Sequence, residues 1–529
     1  MLIAFGDAIP KVSTFLSSRA WSMLSAGSVA SSSSLCLTPI KAPIPEDLSL
    51  QGNILWFGKT LIFNSSNLGA RLPKLPVLPI DTGRYGTPDM RRIFEEENRI
   101  QRLLDVEAAL AWAHAEVGDI PRKDADKINA MASLRHVRLS RIKEIEREIK
   151  HDVASMVRAL SEVCGSSGRY VHLGATSYDI VDTANALQLR DALQLIGEKL
   201  NKLEKILMEK AVFHKKTVMV GRTHGQHALP LTLGFKFAVW MREVARHIER
   251  VKQCSSRLLV GKMSGAVGTQ AGLGEHALKI QALVMKKLGI GAADISTQIV
   301  QRDRHAEFAC VMALLASSLE NFATEIRELQ RPEIGELFEY YETSAQVGSS
   351  TMPQKRNPEL CERVCGLARI VRSLVVPALE DVTTWHERDL TQSSTERFLF
   401  PETCILTDYM LFLTNNIVST LRVDEDRMLQ NIEVTQGRLM SEAVMVTLTK
   451  KGMSRQAAHE LLRKLTIESE SEKVHLREVL LANKTIVERL TKKEIDQALD
   501  PFGYLGTAVK QVDLMVEKTD AERKINQQE

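Results

Sequence analysis

The stretch GSSTMPQKRNP, Gly348 to Pro358, puts two hydroxyls behind a glycine and a lysine, an arginine and an asparagine between two prolines. A plain connector has no use for that set. A catalytic loop does: a serine can give up its proton, lysine and asparagine can hold a carboxylate, and the glycine lets the loop close. Three other polar islands interrupt the chain. KHDVASMVRALSE sets His151 beside Asp152, HLGATSYDIVDTA carries Thr176, Ser177 and Asp179, and VGRTHGQHALP carries Thr223, His224 and His227. Singly, each has a plainer reading. His-Asp at a helix start suits a surface pair, and GATSYD suits a turn and N-cap. The two histidines of the third island suit a metal, but Gly225 and Pro230 argue against a regular helix there and no acidic third ligand is near.

The elements that must position these islands are helical. TPDMRRIFEEENRIQRLLDVEAALAWAHAEVG opens on a Thr-Pro pair and is closed by Gly118 and Pro121, which predicts one helix between them. Leu189, Leu193, Ile196, Leu200, Leu203 and Leu207 follow a 4, 3, 4, 3, 4 spacing, the 3.5-residue period of helices packed at a shallow angle. A second long helix is predicted from about Ala306 to Gln330, and a third through RVCGLARIVRSLVVPAL. Strand-like alternation is scarce. The fold class expected is all-α, centred on a bundle of long helices. Stripes this long need burial against neighbours, which predicts an oligomer.

Composition limits the partners. Net charge is +3 on 529 residues, which gives no reason to expect nucleic acid or a membrane surface. No uninterrupted apolar run reaches the length of a membrane span. The seven cysteines have irregular spacing and no Cys-x-x-Cys, and read as free thiols in a reducing compartment. Residues 1–80 are serine-rich, proline-spaced and poor in acids, which predicts a disordered leader or a targeting segment. The location expected is cytoplasmic, or an organelle if the leader acts as a transit peptide.

Taken together, the islands resemble a known set. GSSTMPQKRNP resembles the signature loop of the fumarase/aspartase superfamily, and ATSYDIVDTA and VGRTHGQHALP resemble its other two signature regions, in the same order. The resemblance runs from about Arg84 to Val512. It implies a central long-helix bundle (181–428) flanked by two smaller helical domains (81–180 and 429–529), assembled as a homotetramer whose active sites are shared between subunits. Within the superfamily, RYGTPDM, WHERDLTQSSTERFLFPE, KHDVASMVRALSE and STQIVQRDRHAEF are similar to the adenylosuccinate lyase family. Argininosuccinate lyases carry a Ser-x-Asn-Asp pattern that is absent here. Carboxymuconate cycloisomerases share GATS-D--DTA and QHALP but lack the Thr-His pair, and are the alternative. Gln354 departs from the His or Tyr more frequent in adenylosuccinate lyases.

The resemblance implies an anti β-elimination that breaks a C–N bond and releases fumarate, from adenylosuccinate to leave AMP and from the succinyl-carboxamide ribotide of purine synthesis. It implies Ser349 as the base and His224 as the general acid, with His151 in support. Lys355 and Asn357 would hold the carboxylate whose charge grows. Thr176, Ser177 and Gln298 would contact the succinyl part. Arg84, Tyr85, Arg388, Ser393 and Arg397 would bind the nucleotide phosphate, with Arg363 in the same region. Asp152, Thr223, Ser350 and Met352 complete the implied substrate contacts, and His227 is left as a structural neighbour. The reaction needs no metal and no organic cofactor. The set of Ser349, Lys355, Asn357 and His224 argues against a non-enzymatic scaffold.

Overall fold

The computed structural model describes residues 78–342 and 348–528. The leader predicted for 1–80 lies almost wholly outside the described residues. The segment predicted as one helix is two, α1 (Pro88–Phe94) and α2 (Glu96–Val117). Thr87 caps α1 and Gly118, with φ 88°, closes α2. The break falls at Glu95, whose ψ of 147° leaves the helical region. The carbonyl of Ile93 accepts instead from side-chain amides, Asn98 at 2.8 Å and Gln188 at 2.6 Å. One local and one long-range donor therefore replace the helical bond that periodicity alone would have drawn.

Next come α3 (Asp152–Cys164) and α4 (Ser177–Phe213), then β1 (Val218–Thr223) and β2 (Gln226–Thr232). The long helices α5 (Leu233–Leu258), α6 (Asp303–Leu329), α7 (Glu359–Ser373) and α8 (Thr391–Thr420) follow, and α9 (Ala508–Gln528) ends the chain. Helices α4 to α8 pack side by side, with α9 against α4 and α5. The stripe from Leu189 to Leu207 and the stripe from Phe308 to Leu329 meet in one apolar core. By length and composition α6 is apolar enough to cross a membrane, but 67% of its most apolar window is buried in the bundle. A second cluster gathers α2, α3 and the first turns of α4 with Met263, Ile280 and Val284. A third, around Leu462, Leu480 and Ile495, is formed by the helices between residues 441 and 498.

Buried charges lock the bundle at the start of α4. Asp179 is wholly buried, pairs with the wholly buried Lys262 at 2.5 Å, and accepts the backbone N–H of Thr176 at 2.8 Å to complete a capping box. One turn later Asp182 takes both arms of Arg302, at 2.9 and 3.0 Å, and Arg302 also reaches Glu396 on α8 at 2.7 Å. Burial by itself would raise the Asp182 pKa, but the Arg302 charge and hydrogen bonds hold it below the usual carboxylate value. The pair therefore stabilises the fold at pH above the ordinary carboxylate range, and that contribution is lost as acid takes the pH through the depressed value. Asp182→Ala should lower stability by about 3 kcal/mol, because it leaves a buried guanidinium short of a partner. Urea unfolding at neutral pH measures this, and a loss under about 1 kcal/mol contradicts it.

Candidate active site

A cavity of about 720 Å³ opens where α3, α4 and α8 meet. His151, Asp152, Ser177, Arg388, Ser393 and Arg397, all expected site residues, line it. Two helix N-termini face this space, since His151 is the N-cap of α3 and Ser177 the first residue of α4. The positive ends of the two helix dipoles favour an anion in this space. The sharp approach to α3 is made by Lys150, in the left-handed region at φ 57°. His151 Nδ1 accepts from the Ala154 N–H at 3.3 Å, so the neutral ring carries its proton on Nε2.

Asp152 joins two arginines. Its Oδ2 lies 2.9 Å from Arg397 and 3.7 Å from Arg99. Burial pushes its pKa up, but the Val153 N–H, Arg99, Arg397 and His151 outweigh burial and keep it low, so the carboxylate stays charged. Burial, with Arg397 nearby, lowers the Arg99 pKa. Across the cavity, Arg388 stacks on the Tyr178 ring at 3.7 Å and donates to Gln298 Oε1 at 2.8 Å. Burial raises the Tyr178 pKa, partly offset by a hydrogen bond with Ser393. Gln298 also donates to the Ala266 carbonyl at 2.7 Å, so both ends of its amide are engaged and it braces Arg388. Arg99 and Tyr178 escaped the sequence reading. Tyr178 sat beside a recognised serine, but nothing in the spacing of α2 marked Arg99.

The serine loop forms a separate site. Gly348 donates to the Tyr341 hydroxyl at 2.9 Å, and its carbonyl accepts from Asn357 Nδ2 at 2.9 Å. A Cβ on Gly348 would lie 2.2 Å from the Lys355 carbonyl oxygen, so glycine is required for the loop to fold back on itself. Ser349 Oγ accepts the backbone N–H groups of Thr351 at 3.3 Å and Met352 at 3.0 Å. Two N–H donors aimed at one hydroxyl oxygen favour negative charge there over a proton. Ser350, Met352 and Lys355 are exposed around it.

The island VGRTHGQHALP is a β-hairpin, although strand-like alternation there is weak. The two residues at its tip, His224 (φ 55°) and Gly225 (φ 73°), both have positive φ, as a type I′ turn requires. Histidine is one of the few non-glycine residues found there with any frequency, and the conformation still costs about 1 kcal/mol. Thr223 and His224 are exposed at the tip. The hairpin is held at its base by Arg222, which forks onto the buried Glu336 at 2.7 and 2.9 Å.

Tyr85 and Arg363 form a fourth group, with Arg84 next to Tyr85 in sequence. The Tyr85 ring lies 6.0 Å from that of Tyr409, whose hydroxyl accepts from Arg363 at 3.3 Å. Arg397 and Tyr409 are twelve residues apart on α8, about 18 Å of helix rise. Thr176 caps α4 beside the cavity. The expected residues thus lie in four places on one chain, and neither the serine loop nor the hairpin tip lines the cavity. Among the described residues no three His, Cys, Asp or Glu side chains are grouped to hold a metal ion.

A family model described as Lyase matches residues 83–372, and one described as Adenylosuccinate lyase C-terminus matches residues 437–515. The adenylosuccinate lyase of Methanocaldococcus jannaschii is 48% identical over 444 residues, covering 84% of this chain and 96% of that protein. That of Pyrococcus abyssi is 50% identical over 434 residues, covering 82% and 96%. Among solved structures, the 3-carboxy-cis,cis-muconate lactonizing enzyme from Pseudomonas putida aligns with a TM-score of 0.77 at 35% identity, over 84% of this chain and 99% of that one.

Proposed function

The chain belongs to the adenylosuccinate lyase family, and from that premise we propose how its own residues divide the work of splitting adenylosuccinate into AMP and fumarate. The observation that carries the reading is the cavity where Arg388, Ser393 and Arg397 meet two helix N-termini. Planar guanidinium forks pair with phosphate oxygens, and the helix ends add to the same field. The succinyl-carboxamide ribotide presents the same phosphate and the same succinyl group, so it is the second substrate.

In the reaction, Ser349 takes a proton from the succinyl CH2 next to a carboxylate. The C–H electron pair becomes the double bond of fumarate, and the C–N bond breaks on the opposite face. His224 hands a proton to the departing nitrogen, giving the free amino group of AMP. Lys355 steadies the carboxylate as charge flows into it, and Asn357 braces the loop that carries both. His151, with its proton on Nε2, donates to the anionic end of the substrate.

These groups meet only if several chains supply them. The serine loop and the hairpin tip stand away from the cavity of their own chain, and Arg84, Tyr85 and Arg363 sit too far along α8 to share one phosphate with Arg397. Leu314 (52% exposed), Ile370 (46%) and Phe412 (48%) add apolar surface on three bundle helices. A homotetramer with sites built across subunits accounts for both features.

Incubating the purified protein with adenylosuccinate should convert the succinyl-purine absorbance to that of AMP, and no turnover with either succinyl-nucleotide refutes the reading. Arg388→Ala and Arg397→Ala should each raise KM by about tenfold to a hundredfold, the effect of losing a hydrogen bond to a charged group at about 1.5–3 kcal/mol. The 35% identity to a muconate lactonizing enzyme favours a second reading with a substrate that has no phosphate. An unchanged KM in both arginine variants would select that reading.

A further inference from the structure

We propose that Asp408 and Tyr409, neighbours on α8, are positioning residues that set Arg84, Tyr85 and Arg363 for binding the nucleotide and leave the elimination step alone. The inference rests on the reading of those three residues as nucleotide contacts. Asp408 is wholly buried. Its Oδ2 accepts from the Thr87 hydroxyl at 2.6 Å, and its Oδ1 pairs with Lys199 Nζ of α4 at 2.7 Å. Thr87 is the N-cap of α1 and directly follows Arg84, Tyr85 and Gly86. The carboxylate therefore pins the exit of that segment to two bundle helices.

The segment itself lies flat on α8. Gly86 has φ 98°, and a Cβ there would come within 2.5 Å of the Ile405 side chain, one turn before Asp408. No larger residue fits between the segment and the helix. Tyr409 then does for side chains what Asp408 does for the backbone. Its ring lies 6.0 Å from the Tyr85 ring, tilted by 41°, and its hydroxyl accepts from Arg363 Nη1 at 3.3 Å. A long arginine loses rotamer freedom when it clamps an anion, and a hydroxyl that already holds one arm reduces that loss. The hydroxyl is an acceptor here, so it orients the guanidinium. One turn of α8 thus fixes a backbone segment from before α1 and a side chain from α7.

The test compares Tyr409→Phe, Arg363→Ala, the double variant and Asp408→Asn. For each, KM and kcat with adenylosuccinate, product inhibition by AMP and by fumarate, and the thermal midpoint are measured. Tyr409→Phe should raise KM and the AMP inhibition constant together, by about threefold to tenfold. Fumarate inhibition, kcat and the midpoint should stay put, a split that a merely structural loss would not produce. The double variant should bind no worse than Arg363→Ala, because the hydroxyl acts through that arginine. Asp408→Asn keeps an oxygen for Thr87 but removes the charge facing Lys199, and should raise KM with kcat unmoved. If Arg363→Ala raises KM while Tyr409→Phe does not, or if the two effects multiply, the positioning role is refuted. If Asp408→Asn lowers the midpoint with KM unchanged, Asp408 is structural and its half of the proposal is overturned. An Arg363→Ala variant with a parental KM instead overturns the nucleotide-contact reading beneath the inference, and the inference with it.

Discussion

Ser349→Ala should lower kcat on adenylosuccinate by about a thousandfold, within the range that a single general base contributes. Nothing else in the serine loop can replace the lost oxygen at that point. The Thr351 and Met352 N–H groups converge on the Ser349 oxygen, whereas among the described residues the neighbouring Ser350 hydroxyl is engaged with Thr351 alone, at 3.5 Å. Ser350→Ala is therefore the matched control and should keep activity within about tenfold of the parent. Nucleotide binding should survive in Ser349→Ala, because the cavity with Arg388 and Arg397 is formed without the loop. Stability should move by no more than about 0.5 kcal/mol, as for a surface change that disturbs no buried partner. Steady-state kinetics with AMP titration settles it. A Ser349→Ala enzyme within tenfold of parental kcat removes the serine from the chemistry.

His224 carries the second large effect. Because its backbone is left-handed, alanine would change both the acid and the turn. Asparagine tolerates that conformation, so His224→Asn isolates the proton donor. Its kcat should drop by about a hundredfold to ten-thousandfold with the hairpin intact. The Arg222–Glu336 fork at the hairpin base is unaffected by the change, so the thermal midpoint should hold. The sharper result comes from mixing. If one site takes Ser349 and His224 from different chains, then Ser349→Ala and His224→Asn subunits, dissociated and reassembled together, form some sites in which both residues are parental. Activity should reappear in the mixture although each variant alone is nearly dead. Mixed assemblies that stay inactive would place both groups on one chain and end the shared-site model.

The periodicities that mark α4 and α6 are local properties, and they put Leu189 to Leu207 and Phe308 to Leu329 in the core without knowledge of any neighbour. The loop from Gly348 to Pro358 was equally visible, because glycine, proline and paired hydroxyls are costly to place by accident among apolar helices. Local pattern failed where a distant group intervened. The break at Glu95 depends on Gln188 reaching Ile93 across 95 residues, and Asp182 meets Arg302 across 120. From sequence, Asp179 and Asp182 were part of one polar island with Ser177. In the fold they are buried structural anions, and Ser177 alone of the three lines the cavity.

By itself, then, the amino-acid order determined the helical class, the long stripes and the four polar islands from which the chemistry was read. Tertiary structure decided which members of those islands are anchors and which face the cavity. It also turned the histidine island into a hairpin and separated the arginine groups along α8. The reason is physical: apolar periodicity acts over a few residues of one helix, whereas the pairing of a buried charge is fixed only when segments a hundred residues apart are brought together out of water.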